Sequence, residues 1–393
     1  MRRITVEELE QMAPDSRVVV DIRPEELFRK GTYPGAVNAP FLAPELREEF
    51  LEDPRALAGI LPDKEKLICI LCHTGSSSAE AAEDLEELGY NVCDVEGGYR
   101  AYLRRSLEEK ASASEELAKE RIARAERSII KKFRKQLWTR FTKAVTDYRL
   151  ISEGDRIAVC ISGGKDSMLM AKLLQEIQRH GKIPFELVFL CMNPGYNADN
   201  WAIVQNNAAL LGIPLTVFNS DIFDIVAAEE HHPCYLCARM RRGFLYANAK
   251  KLGCNKIALG HHYDDVIETI LMGILYSGKT ETMMPKLHSQ NFEGMELIRP
   301  LYLIREKDIC AWRDYNDLHF IQCACRFTEH CATCGGAHAS KREEVKRLIA
   351  QFSEEDPVIA QNIFNCVRDI NLRTVLGCHK DGVYYNFLDD YDG

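Results

Sequence analysis

The stretch that most restricts what this chain can fold into is Ile157-Ala158-Val159-Cys160-Ile161-Ser162-Gly163-Gly164-Lys165-Asp166-Ser167-Met168. An apolar, largely β-branched run breaks into Ser-Gly-Gly, and an amphipathic segment from Met168 to Gln178 follows at once. That order predicts a buried strand, a tight turn and a helix start. Two glycines let consecutive N–H groups curl into one concavity at the positive end of the helix dipole. Lys165 adds a cation and Ser167 a hydroxyl, so the turn is suited to phosphate. It is not a Walker loop, because Asp166 follows Gly164-Lys165 and Val159 stands where that pattern needs its first glycine.

Three further apolar runs, Phe185 to Met192, Leu215 to Phe218 and Lys256 to Gly260, read as buried strands separated by helical segments. A parallel sheet wound on both faces is the expected architecture, with ligands beyond the strand C-termini. The last run ends in Gly260-His261-His262-Tyr263-Asp264-Asp265, at the same edge as the Ser162–Ser167 turn. His and Asp there can bind Mg2+, meet phosphate or handle protons, and Asp166 and Asp265 are the candidates for metal contact. Between these runs Pro233-Cys234-Tyr235-Leu236-Cys237 opens a helix. Two cysteines three residues apart on a helix can grip one metal centre.

The hexamer Ser162 to Ser167 resembles the pyrophosphate-loop signature of ATP pyrophosphatases, which make AMP and pyrophosphate. The resemblance implies ATP held by Ser162, Gly163, Gly164, Lys165, Asp166 and Ser167, with His261 and Asp265 alongside and Mg2+ as companion. Lys165 and Asp166 are the candidate catalytic residues of this loop. Adding the Cys234/Cys237 pair, Glu153-Gly154-Asp155-Arg156, Arg239 to Tyr246, Asp265 to Thr269 and Ile298-Arg299-Pro300-Leu301, residues from about 137 to 352 resemble the tRNA 2-thiocytidine synthetase family. That resemblance implies a [4Fe-4S] cluster on three cysteines with one iron open for sulfur. Cys234 and Cys237 map onto the first two ligands, and Cys323 fits the third. Here the sequence departs from the family: Ala324-Cys325-Arg326-Phe327-Thr328-Glu329-His330-Cys331-Ala332-Thr333-Cys334 is longer and richer in cysteine than the family's run. Cys325 competes for the third position, and Cys331 and Cys334 are either spare thiols or partners of Cys325 and His330 in a zinc site.

The first third has its own α/β pattern. Arg17 to Asp21 and Leu67 to Leu71 read as strands, the second ending at Cys72. The loop His73-Thr74-Gly75-Ser76-Ser77 then leads into a helix from Ser78 to Leu88. A thiol above loop N–H groups and a helix N-terminus is one whose anion is stabilised. Asp21-Ile22-Arg23, Pro34-Gly35-Ala36, the Cys72 loop and Gly97-Gly98-Tyr99-Arg100-Ala101-Tyr102 together resemble a rhodanese domain. The resemblance implies that Cys72 is catalytic and carries a sulfane sulfur. Ser76 and Ser77 stand where many rhodaneses have basic residues, which disfavours thiosulfate and favours a protein persulfide, such as that of a cysteine desulfurase, as donor.

At 393 residues the chain exceeds one typical core. The expected division is a rhodanese-like sulfur-carrier domain over 1–105, a linker and basic helix over 106–150, a pyrophosphate-loop ATPase domain over 151–310, and a cysteine-rich and helical extension over 311–393. The resemblances make this an α/β chain, with the second domain a doubly wound parallel sheet of the adenine nucleotide alpha hydrolase-like (HUP) type. From Leu117 to Arg149 there are eleven Lys/Arg against three Asp/Glu. Apolar residues at Ile122, Ile129, Ile130, Phe133, Leu137, Phe141 and Val145 keep helical spacing, so one face packs and the other is a cationic stripe suited to phosphates. The net charge of −9 argues against a globally sticky nucleic-acid binder but allows that local face. No apolar run approaches the roughly 20 residues of a membrane span, and the first residues lack the apolar core of a signal peptide. A cytoplasmic protein is expected, and in that compartment fifteen cysteines point to thiolate or metal–sulfur chemistry rather than disulfides. Cys69, Cys160 and Cys191 lie in apolar strands and read as core residues, as do Cys366 and Cys378 near the end.

These expectations join into one enzyme. ATP activates a tRNA base carbonyl (cytidine C2 by resemblance) as an adenylate, and sulfur from Cys72 replaces the oxygen by way of the cluster. tRNA is the expected partner, and a homodimer is compatible with the sequence. Two alternatives stay open: sulfuration of another tRNA base or a small molecule, and a sulfur carrier or redox module whose Cys234/Cys237 pair holds structural zinc.

Overall fold

The computed structural model describes residues 2–43, 64, 66–112, 115–222, 233–321 and 341–391. They form two compact units, the first from residues 1–122, 196–212 and 319–321, the second from 123–195, 213–318 and 322–393.

The first unit is built on a parallel sheet of β1 (Arg2–Ile4), β2 (Arg17–Asp21), β3 (Val37–Asn38), β4 (Leu67–Leu71) and β5 (Val92–Val95), in the order β1-β5-β4-β2-β3. β4 is central, so both its faces are buried and its sequence is an unbroken apolar run. Ile68, Ile70 and Cys72 pack with Ala81, Ala82 and Leu85 of the Ser77–Glu87 helix. Cys69 and Leu71 face the other way, toward Tyr99, Leu103 and Leu107 of the Gly98–Ser112 helix. The period of two delivers Cys72 to the C-terminal edge of the sheet.

The second unit holds a six-stranded sheet: β6 (Arg156–Ile161), β7 (Glu186–Asn193), β8 (Leu215–Asn219), β9 (Lys256–Ala258), β10 (Lys286–His288) and β11 (Glu296–Ile298). Its order is β10-β11-β9-β6-β7-β8, with only β10 antiparallel to its neighbour. β6 lies between β7, which follows it, and β9, which comes much later. The strand order therefore reverses at the C-terminal end of β6, the place where such sheets open a crevice. The Lys165–His180 helix that leaves this edge buries Met168, Leu169, Met170, Leu173 and Leu174. It also buries Lys172, which is compensated by Glu126 at 2.7 Å and Gln175 at 2.8 Å.

The basic segment runs through two π-helical turns, Ser128–Lys132 and Arg134–Trp138, into the Thr139–Asp147 helix. Ile129, Phe133, Leu137, Phe141 and Val145 are buried while Lys131, Lys132, Arg134 and Lys135 are exposed. The Lys341–Glu355 and Ile359–Arg368 helices close the unit, packing Val345, Ile349, Ala360 and Phe364 on Val266, Ile267, Ile270 and Tyr302. Beyond them β12 (Gly377–Lys380) and β13 (Val383–Asn386) make a hairpin the sequence reading does not anticipate.

Cys69, Cys160 and Cys191 are core residues, as expected, and burial pushes the last two thiols up to about 12. Cys366 corrects its expectation: it is exposed on the outer face of its helix rather than packed. No described helix is long and apolar enough to cross a membrane.

Candidate functional sites

Cys72 ends β4 just before a loop that three glycines allow. Gly75, Gly97 and Gly98 all have positive φ, at 91°, 72° and 59°. A Cβ on Gly98 would fall 2.4 Å from the Cys72 carbonyl oxygen, and one on Gly75 would fall 2.7 Å from the Gly97 nitrogen. Only hydrogen at these positions lets the two backbone strands of the loop close on each other. They are tied by Tyr99 N–H donating to Cys72 O at 2.8 Å and Arg100 N–H to His73 O at 3.2 Å. The thiol then receives Gly75 N–H at 3.0 Å and lies 3.2 Å from Ser78 Oγ. Ser78 Oγ is also 2.6 Å from Asp94 Oδ1, a carboxylate rising from β5. Beside the loop, Arg23 pairs with Asp21 at 2.6 Å and stacks 3.9 Å from the Tyr99 ring. Burial, helped by Arg100 and Arg23, pushes His73 down to about 4, so it is neutral at pH 7. Ser78 and Asp94 are missed by motif reading, although a lone carboxylate within the apolar run Val92-Cys93-Asp94-Val95 was a signal.

At the edge of β6, Gly163 takes φ of 83° and Gly164 caps the Lys165–His180 helix without any side-chain cap. The first N–H groups of that helix are left facing the loop. Gly260 approaches so closely that a Cβ there would be 3.1 Å from Ser167 N, which sets the Gly260–Asp265 segment against the helix start. His262 caps the next helix, Tyr263–Met272: its Nδ1 accepts from Asp265 N–H at 3.4 Å while Asp265 Oδ2 accepts from His262 N–H at 2.9 Å. Because Nδ1 is an acceptor, the ring proton of the neutral form sits on Nε2, which faces Asp166 Oδ1 at 3.8 Å. That Asp166 oxygen is buried and makes no hydrogen bond, and the same holds for His261 Nδ1. Burial, reinforced by Arg299, drives His261 down to about 4.

The two carboxylates proposed for metal therefore differ. Asp265 is engaged by His262 N–H and by Arg342 at 3.1 Å, whereas Asp166 keeps a free buried oxygen. Among the described residues no group of three or more His, Cys, Asp or Glu forms a metal cage. Mg2+ does not require one, since it keeps waters and takes one or two carboxylates with substrate phosphates. Asp166 fits that demand.

Lys165 Nζ sits 3.3 Å from Asp166 and 3.0 Å from Glu306. Burial opposes its charge, but these two carboxylates outweigh it and hold the ammonium above the usual lysine range. Glu306, the first residue of the Glu306–Tyr315 helix, also meets Lys346 at 2.9 Å. Burial alone would raise its carboxyl, yet Lys165 and Lys346 push it down to about 2. Arg342 pairs with Glu268 at 2.8 Å, so the Lys341–Glu355 helix brings two cations to this edge. Glu306 and Lys346 are invisible as site residues in the sequence, because an acid in a helix first turn and a lysine on a charged helix are ordinary.

Cys234 and Cys237 lie on the Pro233–Lys251 helix, and Cys237 is half-buried, with Leu236 and Met240, against Met192 and Ile222. Two cysteines at i and i+3 of one helix suit an iron–sulfur centre. Cys323, like Cys325, Cys331 and Cys334, lies outside the described residues.

The PP-loop domain family matches residues 133–325 and the rhodanese-like domain family residues 5–105. The tRNA-cytidine(32) 2-sulfurtransferase of Bordetella avium (strain 197N) is 38% identical over 242 residues, covering 60% of this chain and 73% of its own. Its counterpart in Alcanivorax borkumensis is 35% identical over 250 residues, covering 62% and 84%. Among solved structures, the U34-tRNA thiolase NcsA from Methanococcus maripaludis with its [4Fe-4S] cluster overlays with a TM-score of 0.46 at 22% identity, covering 59% of this chain and 79% of that one.

Proposed function

The chain belongs to the tRNA-cytidine(32) 2-sulfurtransferase family, and from that premise we propose that it thiolates a tRNA cytidine at C2, consuming ATP and drawing sulfur from its own Cys72. The observation that carries the reading is the β6 edge. An uncapped helix start, the Lys165 cation and the unpartnered Asp166 oxygen converge there on one crevice.

A carbonyl oxygen is a poor leaving group, and AMP transferred onto it makes it a good one. The N–H groups behind Ser162, Gly163 and Gly164 receive the phosphates, and Lys165 meets the charge that develops as pyrophosphate departs. Asp166 would hold Mg2+, which spreads phosphate charge. Ser167 is occupied internally, its Oγ donating to Gly164 O at 3.0 Å, and so shapes the loop. His261, neutral at pH 7, adds no cation and leaves Lys165 to anchor the phosphates.

Sulfur enters at the other unit. The Cys72 thiolate attacks the outer sulfur of a protein persulfide, a new S–S bond forms, and the donor leaves as a thiolate. The Gly75 N–H and the Ser78 hydroxyl stabilise the attacking thiolate. When bound, the [4Fe-4S] cluster supplies an iron open to sulfur; Cys234, Cys237 and Cys323 would hold it. Exposed Lys131, Lys132, Arg134 and Lys135 offer tRNA a phosphate-binding face. The deciding experiment is nucleoside analysis of tRNA from cells lacking the protein. Loss of 2-thiocytidine with other thionucleosides intact is the expected result, and unchanged 2-thiocytidine would refute the reading.

A further inference from the structure

Ser78 Oγ owns one proton and has two acceptors, Asp94 Oδ1 at 2.6 Å and Cys72 Sγ at 3.2 Å. The relative exposures are 0% for Ser78, 1% for Asp94 and 3% for Cys72, so water cannot make up a missing bond. With Asp94 ionised, the hydroxyl points at the carboxylate and turns its lone pairs toward the sulfur, which suits a thiol. With the sulfur ionised, the hydroxyl turns to it as a second donor beside Gly75 N–H, and Asp94 Oδ1 keeps its hydrogen bond to Ser78 Oγ by carrying a proton to donate. Charging both would make two anions share one hydroxyl, with only the Gly75 N–H on the sulfur side and the Arg3 guanidinium on the carboxylate side to offset their repulsion.

We propose that Asp94 is the proton acceptor of Cys72, acting through Ser78. The Cys72 S–H bond breaks as its proton passes to Ser78 Oγ, and Ser78 passes its own proton to Asp94 Oδ1. A thiolate, a hydroxyl and a carboxylic acid result, with no outside base. Sulfur departure at the end of a cycle runs the relay backwards and returns the proton to Cys72. The proposal deepens the sulfur-carrier reading of Cys72 and makes Asp94 a positioning residue for it.

The surroundings favour such an exchange. Burial raises the Asp94 carboxyl, against the pull of Ser78 and of Arg3, whose guanidinium is 3.4 Å from Oδ2. Glu96, just past β5, adds to the rise. His73 is neutral at pH 7, and the Arg23–Asp21 pair compensates itself. Two sites that exclude each other's charge titrate as a pair, in two macroscopic steps.

The test is alkylation of Cys72 by iodoacetamide in the full chain, read on its own peptide by mass spectrometry, from about pH 4 to about pH 10. The wild-type rate should rise in two steps, the lower one reporting the thiolate with protonated Asp94. Asp94→Asn should lose the lower step and keep a single one, displaced below the wild-type upper step because no carboxylate opposes the thiolate. Ser78→Ala should also lose the lower step while Asp94 stays in place, which guards against a folding defect in one variant. A single-step wild-type profile, or an Asp94→Asn profile that overlays the wild type, would overturn the relay. Alkylation needs neither ATP nor tRNA, so persistence of 2-thiocytidine in cells lacking the protein would sink the functional reading and leave this result standing.

Discussion

Lys165 is shared by Asp166 and Glu306, so an arriving phosphate competes with two carboxylates for one ammonium. Removing that ammonium leaves the strand, the turn and the helix intact and strips the crevice of its main cation. Lys165→Ala is expected to lower ATP-dependent pyrophosphate release by roughly 100- to 1,000-fold, with a fall in Tm because Glu306 is left with Lys346 alone. A rate within a few-fold of wild type would remove Lys165 from the chemistry. Glu306 makes a separate prediction on stability. Its carboxyl lies at about 2 in the folded chain against 4.5 for the ordinary group. A depressed acid stabilises the fold fully above its unfolded pKa, and that contribution fades as pH falls from about 4.5 through 2. The gap of about 2.5 pH units is worth on the order of 3 kcal/mol. His261 and His73 begin the decline earlier, since both stay neutral down to about 4 while the unfolded chain takes protons from 6.5. Urea unfolding across this range should show stability dropping from about pH 6.5 downward, with the lowest part of the slope flattened in Glu306→Gln. An identical acid limb in that variant would mean that Glu306 is not held by Lys165 and Lys346.

At the level of elements, each site is a strand end facing a helix start, and glycine sets how closely they approach. Gly98→Ala needs φ near 59° and a Cβ 2.4 Å from Cys72 O, a contact with backbone that no side chain can relieve. The left-handed conformation alone costs about 1–3 kcal/mol, and the loop must also open. A fall in Tm and loss of sulfur loading on Cys72 are expected together; full loading would show that the loop tolerates displacement. The basic segment predicts a salt effect. Replacing exposed Lys131 and Lys135 by alanine should weaken tRNA binding across sequences and flatten the dependence of log Kd on log salt by about one to two. An unchanged slope would move the tRNA face elsewhere. These elements were legible in the sequence because β4, β6, β7 and β9 are buried and read as continuous apolar runs, each closed by a turn signal. Side chains that reach a site from a distant element were not legible. Glu306 arrives at Lys165 from 141 positions later and Asp94 at Ser78 from another strand, and neither pairing leaves a periodic trace. The β12–β13 hairpin escaped for the opposite reason: none of its residues is fully buried, so it lacks the alternation that marks a half-buried strand.

For the whole molecule, the combination of domains is itself an argument. A rhodanese-like unit and a PP-loop unit share one chain, and on the proposed reading that linkage would raise the effective concentration of the Cys72 sulfur at the activation site. That division of labour separates two losses of function that look alike in cells. Cys72→Ser removes the sulfur carrier but leaves the nucleotide crevice and the Cys234/Cys237 helix untouched. On the proposed reading, Cys234→Ser leaves the carrier loaded and removes a cluster ligand from the second unit. In a reconstituted reaction with tRNA and ATP, both variants should fail with a protein persulfide as donor. Inorganic sulfide, which needs no carrier, should restore 2-thiocytidine formation to Cys72→Ser and not to Cys234→Ser. The ATP-dependent release of pyrophosphate should persist in Cys72→Ser, since the β6 edge does not use that thiol. Equal rescue of both variants would remove Cys234 from the sulfur path, and no rescue of either would mean that Cys72 serves the chemistry itself rather than its supply.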